Sequence, residues 1–224
     1  ANEITNNLKN QIDNCFNQTL SEMFPMAEFG LSSGNSDNVT GSIIAINPLS
    51  DINDKSTSTF FQGSLFLSDD SRETINLGLA TRSLVSDDTM LVGANIFYDH
   101  ELDHNHQRAS IGLEAITSVG SITYNEYWGL SDKKTGVDGF KEEALDGRDL
   151  KVGIPLPYLP TTSLNIRSFQ WEGVDGATDL EGEDFSLRAG ISRFNIEIGH
   201  RDFDGATDDE DFIRLTYRCC KGEY

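Results

Sequence analysis

The sequence has few basic residues and no long apolar run. It contains 17 Lys and Arg against 37 Asp and Glu, a formal net charge of −20. This excludes nucleic acid as a partner, because neutralising phosphates requires an excess of basic side chains. A transmembrane helix is also excluded, since it needs about 18 or more consecutive apolar residues. The mean hydropathy of −0.39 still allows a membrane β-barrel, because alternating apolar and polar side chains keep the average polar.

Signatures of catalysis and of a disulfide framework are scarce as well. The sequence has no nucleophile–base pair, no phosphate-binding glycine loop and no Cys-x-x-Cys, so we expect that it is not an enzyme. Three cysteines are too few, and of the wrong parity, for a disulfide framework. A bond of Cys15 with Cys219 or Cys220 would tie the amino-terminal segment to the last strand in an oxidising compartment. Free thiols are the alternative.

One segment has helical periodicity. Apolar residues recur at spacings of three and four between Asn2 and Met23, and Pro25 ends the pattern. We predict that residues 1–25 form an amphipathic α-helix on the periplasmic rim of a barrel, where it can bind a periplasmic or surface protein. A plug inside the lumen is the alternative. Ala1 is expected to be a mature terminus after signal cleavage.

The rest of the chain alternates with a period of two. From Met90 to Tyr98, every second residue is apolar, and Asn95 and Asp99 lie on the other face. A soluble β-sandwich and a membrane barrel both produce this alternation. Charged residues and glycines in the middle of the polar faces favour the barrel. Aromatics near strand ends, where an interfacial girdle would lie, favour it as well. They are Phe97, Tyr98, Tyr124, Tyr127 and Trp128.

Several motifs also carry a family resemblance. They are Asn95-x-Phe97-x-Asp99, Arg108-x-x-x-Gly112-x-Glu114, and Asp149-Leu150-x-x-Gly153 running into a proline-rich segment that ends at Pro160. In this order they resemble the β-barrel domain of inverse autotransporters, the intimin and invasin family, most densely over residues 60–173. The resemblance implies a twelve-stranded outer-membrane barrel that exports and anchors an adhesive passenger.

The resemblance leaves several functions open. Because only residues 220–224 follow the last predicted strand, we expect either a barrel from a longer protein or a passenger-less anchor, pore or partner subunit. A soluble acidic β-sandwich that binds a ligand is a third interpretation.

The predicted fold is all-β, a twelve-stranded antiparallel transmembrane barrel over residues 26–220, with the amino-terminal helix before it and a short tail over residues 221–224. Outer-membrane lipid is then a partner. Long connections follow the seventh, ninth and eleventh strands and short ones the sixth, eighth and tenth, which predicts extracellular loops and periplasmic turns. The predicted strands are 26–33, 39–48, 57–67, 72–82, 88–99, 106–116, 119–129, 147–157, 162–171, 184–192, 194–203 and 211–219.

Alternation assigns each side chain to one of the two faces of the barrel. Predicted lumen-facing residues are Asn95, Asp99, Arg108, Glu114, Lys151, Arg167, Arg188, Glu197 and Arg214. Predicted lipid-facing residues are Leu79, Ile111, Leu113, Val152, Ile154, Leu187 and Leu215.

No cofactor is expected beyond two candidate metal sites. Asp202, Asp204 and Asp208 resemble the start of a Ca²⁺ loop, although the closing glutamate is missing; a solvated acidic loop is the alternative. His100, His104 and His106 could bind Zn²⁺, but they lie in a predicted turn without a fixed spacing.

Overall fold

The computed structural model describes residues 26–34, 39–51, 53–68, 72–135, 141–174, 177–205 and 207–220. Within these ranges the chain forms fourteen β-strands. They are β1 (Met26–Gly34), β2 (Val39–Pro48), β3 (Thr57–Ser68), β4 (Glu73–Val85), β5 (Met90–Glu101), β6 (Gln107–Thr117), β7 (Ser121–Gly129), β8 (Lys134–Thr135), β9 (Lys141–Glu142), β10 (Gly147–Leu156), β11 (Leu159–Trp171), β12 (Leu180–Ile191), β13 (Phe194–Phe203) and β14 (Glu210–Cys220).

Twelve of the strands close into one antiparallel barrel. Each long strand pairs with its neighbours in sequence, β7 pairs with β10, and β1 pairs with both β2 and β14. The closing pair runs from Met26 opposite Cys220 to Gly34 opposite Phe212. Closure removes the sheet edges, which is a condition for a sheet in hydrocarbon. The predicted twelve-stranded barrel is therefore confirmed.

Most strand bounds agree with the predicted ones, and β2 and β13 agree at both ends. The largest difference is at β12, which begins at Leu180 because Leu180 pairs with Trp171 and Glu181 with Gln170. Polar residues there predict a loop, but strands continue as paired sheet beyond the apolar band. The small hairpin of β8 and β9 was not predicted, since two-residue strands have no alternation.

The connections differ in length at the two ends of the barrel. One end has the long connections 130–146, 172–179 and 204–209, and the other has the tight turns 118–120, 157–158 and 192–193. Tyr158 and Ser192 have φ angles of 67° and 56°, as tight turns require. The 49–56 connection is a longer one at the tight-turn end.

The predicted amino-terminal helix, Cys15 and the tail lie outside the described residues. Within the described part, Cys219 is a free cysteine. Because Cys15 lies outside that part, the bond between them stays a prediction. No helix in the described ranges is long and apolar enough to span a membrane.

The burial pattern is the reverse of that of a soluble protein, with polar side chains buried and large apolar ones exposed. Among the described residues, the buried apolar side chains are Ala27, Phe60 and Phe169, whereas Asp149, Asp184 and Glu197 are among the buried polar ones. Large aliphatic side chains are instead exposed, as at Leu113, which is 55% accessible. A soluble sandwich buries its apolar faces, so that interpretation is wrong, and the outer face suits lipid.

Candidate functional site: the barrel lumen

The structure separates the predicted lumen-facing and lipid-facing residues onto opposite faces of the sheet. Asp99 lies opposite Arg108, and Glu197 lies opposite both Arg188 and Arg214. By strand alternation all nine predicted lumen residues share this inner face. The seven predicted lipid-facing residues lie on the other face, where Val152 is half-buried and the remaining six are exposed.

A ladder of ion pairs crosses five adjacent strands on the inner face. Arg167 contacts Asp149 and Asp184 at 3.1 Å each. Arg201 then contacts Asp184 at 2.6 Å and Glu210 at 3.3 Å. Because a buried charge is tolerated only when it is paired, this alternation of sign explains how the lumen wall accommodates Asp149 and Asp184, which are 6% and 8% exposed.

A second group of pairs lies nearer the tight-turn end. Glu197 accepts a hydrogen bond from Ser186 at 2.7 Å through Oε1 and one from Arg214 at 3.0 Å through Oε2. Across the closing strands, Arg218 contacts Glu28 at 3.0 Å. The Arg218–Glu28 contact joins β14 to β1 on the inner side of the seam.

The wall formed by β4, β5 and β6 is charged in the same manner. Arg82 reaches Glu114 at 2.5 Å across the intervening strand β5. The residue between them is Gly93, where an added Cβ would lie 2.4 Å from Glu114 Oε1. A glycine in the middle of this strand therefore leaves space for the ion pair.

Two of the aromatic residues predicted for the interfacial girdle face the lumen instead, so the girdle prediction is wrong for them. Tyr127 points into the lumen, where its hydroxyl donates to Asp149 at 3.0 Å and its ring lies 4.9 Å from the Arg108 guanidinium. Phe97 also faces inward, beside Gly78. Trp128 and Tyr124 are exposed on the outer face, as an interfacial girdle requires. The sequence alone could not separate these groups, since both faces carry aromatics near strand ends.

The described part of the long connection between β7 and β10 lies at the mouth of the lumen, beside Arg72 and Arg108. Glu142, on the hairpin of β8 and β9, accepts two hydrogen bonds from Arg72 at 2.9 and 2.7 Å. His106 lies 3.9 Å from the same carboxylate. These residues line a cavity of about 310 Å³ together with Arg108 and Trp171. The sequence offers no signal for this contact, because its two partners are 70 residues apart.

The structure does not assemble the candidate metal ligands. Within the described ranges, no three His, Cys, Asp or Glu side chains are grouped so that they could hold an ion. In the proposed Ca²⁺ loop, Asp209 is the carboxylate that accepts a backbone hydrogen bond, from Phe203 at 3.2 Å. His104 contacts Glu101, and His100 contacts Tyr98. Both metal sites stay predictions without geometric support.

In the connection between β11 and β12, the Asp179 carboxylate accepts two hydrogen bonds. The backbone N–H of Gly173 and the side-chain amide of Gln170 both donate to Asp179, at 2.9 Å each. Since these bonds favour the charged form, they lower the pKa of Asp179.

Comparison with known proteins adds the family context. The model of the family described as "Inverse autotransporter, beta-domain" matches residues 1–213. Invasin of Yersinia enterocolitica is 25% identical over 144 residues, which are 62% of this chain and 17% of that protein. A putative attaching and effacing protein homolog of Escherichia coli (strain K12) is 28% identical over 116 residues, 51% of this chain and 39% of that protein. The chain thus spans less than half the length of these relatives.

A solved structure has a similar fold. It is reported under "Unveiling the Mechanism Behind the in-meso Crystallization of Membrane Proteins", with a TM-score of 0.78 and 21% identity, and the match covers 88% of this chain and 83% of that one. At this identity the likeness concerns the fold alone.

Proposed function

Because the chain belongs to the inverse autotransporter β-domain family, and so is an outer-membrane anchor and translocator barrel, we propose that its lumen guides an adhesive passenger to the cell surface and then holds it there. The family is one of translocators and anchors, not an enzyme class. The outer face of the barrel contacts the lipid of the bacterial outer membrane. A protein partner bound through residues 1–25 is a further part of the proposal.

The observation that carries the proposal is the closed barrel with a charged, paired lumen. Each ladder carboxylate is neutralised on the wall itself, so an extended polar chain can pass without meeting a large field of one sign. The last strand, β14, ends at Cys220 at the tight-turn end. A polypeptide joined beyond Cys220 would start there, and the lumen would be its enclosed route to the other end.

A tagged extension tests this function. An unstructured segment with an epitope is appended after Tyr224 and expressed in cells with an outer membrane. We expect antibody to bind the epitope on intact cells. In a control, the same epitope is inserted at Val119, in a tight turn, and should be reached only after the outer membrane is ruptured.

Folding is checked by heat-modifiable migration in both proteins. The proposal is wrong if the barrel is folded and inserted but the appended epitope, like the control, is reached only after rupture.

A further inference from the structure

Two cations in the lumen lack a carboxylate partner among the described residues. Lys151 on β10 and Arg188 on β12 form no ion pair or side-chain hydrogen bond with any described residue. Every other inward-facing cation described above has a carboxylate partner. These paired residues are Arg72, Arg82, Arg108, Arg167, Arg201, Arg214 and Arg218.

The carboxylate that faces Arg188 across the strand pair is already engaged. Glu197 lies directly opposite Arg188, but its Oε1 accepts from Ser186 and its Oε2 from Arg214. Lys151, Arg188 and Arg214 all line the cavity with Glu197, but only Arg214 is paired with it, which leaves a local excess of positive charge. A half-buried cation without a partner costs free energy unless an anion approaches it.

The two free cations open onto a cavity of about 420 Å³. On the same side lies Arg214, and the facing wall consists of small or uncharged residues such as Gly30, Ser32 and Ser42. Glu28 also lines the cavity, but it is paired with Arg218. An added Cβ at Gly30 would collide with Ser42 Oγ, so the glycine makes room for the Ser42 hydroxyl in the cavity wall.

A buried hydroxyl in the cavity lining also lacks a partner. Thr216 is 8% exposed, and within the described structure its Oγ1 has no hydrogen-bond partner. Buried hydroxyl groups are normally satisfied. Lys151, Arg188 and Thr216 line one cavity, and two cations with a hydroxyl are donors suited to an oxyanion.

We propose that Lys151, Arg188 and Thr216 form a binding site for a carboxylate that enters the lumen from elsewhere. The other lumen arginines are all neutralised by carboxylates, and a carboxylate here would complete the same pattern. Its source is either a small dicarboxylate that diffuses in or the acidic side chains of a polypeptide in the lumen. The site does not depend on the translocator function.

Calorimetric titration tests the proposal with two probes, succinate and an end-blocked tetraglutamate peptide. Each is titrated into the full chain folded in an uncharged detergent. We expect saturable binding that weakens with added salt. The variant Lys151→Gln/Arg188→Gln should lower the affinity by about tenfold or more, because it removes both charge-assisted bonds.

The control variant Lys134→Gln/Lys141→Gln removes the same charge from the hairpin of β8 and β9 and should bind like wild type. The lumen variant is expected to fold, since it removes like charges that repel each other. Thermal unfolding gives an independent readout, because a bound ligand should stabilise wild type and the control but not the lumen variant.

Each outcome has a defined meaning. Binding of succinate alone assigns the site to small dicarboxylates, and binding of the peptide alone assigns it to acidic polypeptide segments; either supports the proposal, as does binding of both. The proposal is overturned if neither probe binds saturably, or if the lumen variant binds with wild-type affinity. Neither failure bears on passenger export, which is tested without these ligands.

Discussion

At the scale of single residues, the lumen is a set of charges that stabilise one another. Asp184 is the centre of the ladder, since it contacts both Arg167 and Arg201. Burying this carboxylate costs free energy of folding, but removing it costs more, because two half-buried guanidinium groups then lose their shared partner.

We therefore predict that Asp184→Ala destabilises the barrel by about 3 kcal/mol. The measurement is urea unfolding in detergent or lipid, with the folded fraction at each urea concentration determined from heat-modifiable migration. Asp211→Ala is the matched control, because Asp211 is 75% exposed and contacts His200 at the surface, where such a pair contributes little. Equal losses of stability in the two variants would contradict the ladder's role.

At the scale of secondary-structure elements, alternation is the strongest rule in this chain. It predicts the twelve barrel strands and the face of each predicted lumen and lipid residue, because a period of two is local information. It cannot predict contacts between distant loops, such as Arg72 with Glu142, or the pairing partner of a charge. Which lumen cations lack a carboxylate, as Lys151 and Arg188 do, is known only from the three-dimensional arrangement.

The two faces of one strand give a direct test. Leu113→Arg on β6 should destabilise the barrel in lipid by about 2–4 kcal/mol, because it places a charge in hydrocarbon. Ser110→Arg on the inner face of the same strand should cost much less, since the lumen is polar. Unfolding by urea in lipid vesicles measures both, and similar costs would speak against the assigned faces.

The hairpin of β8 and β9 offers a second test at this scale. Arg72→Gln removes the bidentate contact with Glu142, so the hairpin should leave the mouth more often. We expect a lysine-specific protease to cleave folded Arg72→Gln several-fold faster than wild type at Lys133, Lys134 or Lys141. The control is Arg148→Gln, which loses an exposed contact with Gln170 and should be cleaved at the wild-type rate. If Arg72→Gln is cleaved no faster than this control, the contact between Arg72 and Glu142 does not hold the hairpin in place.

At the scale of the whole molecule, the barrel has two different ends in an asymmetric membrane. The acidic connections 172–179 and 204–209 lie at the long-loop end, which is expected to face the cell exterior. In a background with the native cysteines replaced, Thr178→Cys and Thr207→Cys should therefore react with an impermeant maleimide on intact cells. Ser192→Cys, at the tight-turn end, should react only after rupture. The opposite result would invert the topology.

The seam between β1 and β14 also determines when the protein can finish folding. It joins residues as far apart as Glu28 and Arg218, which are separated by 190 positions, so the ends of the chain must meet before the last hydrogen bonds form. Such non-local closure has a large entropic cost and makes the final step slow. Until β14 arrives, β1 exposes an unpaired edge that can pair with another chain. The period before the seam closes is therefore the stage at which this architecture is most prone to aggregate.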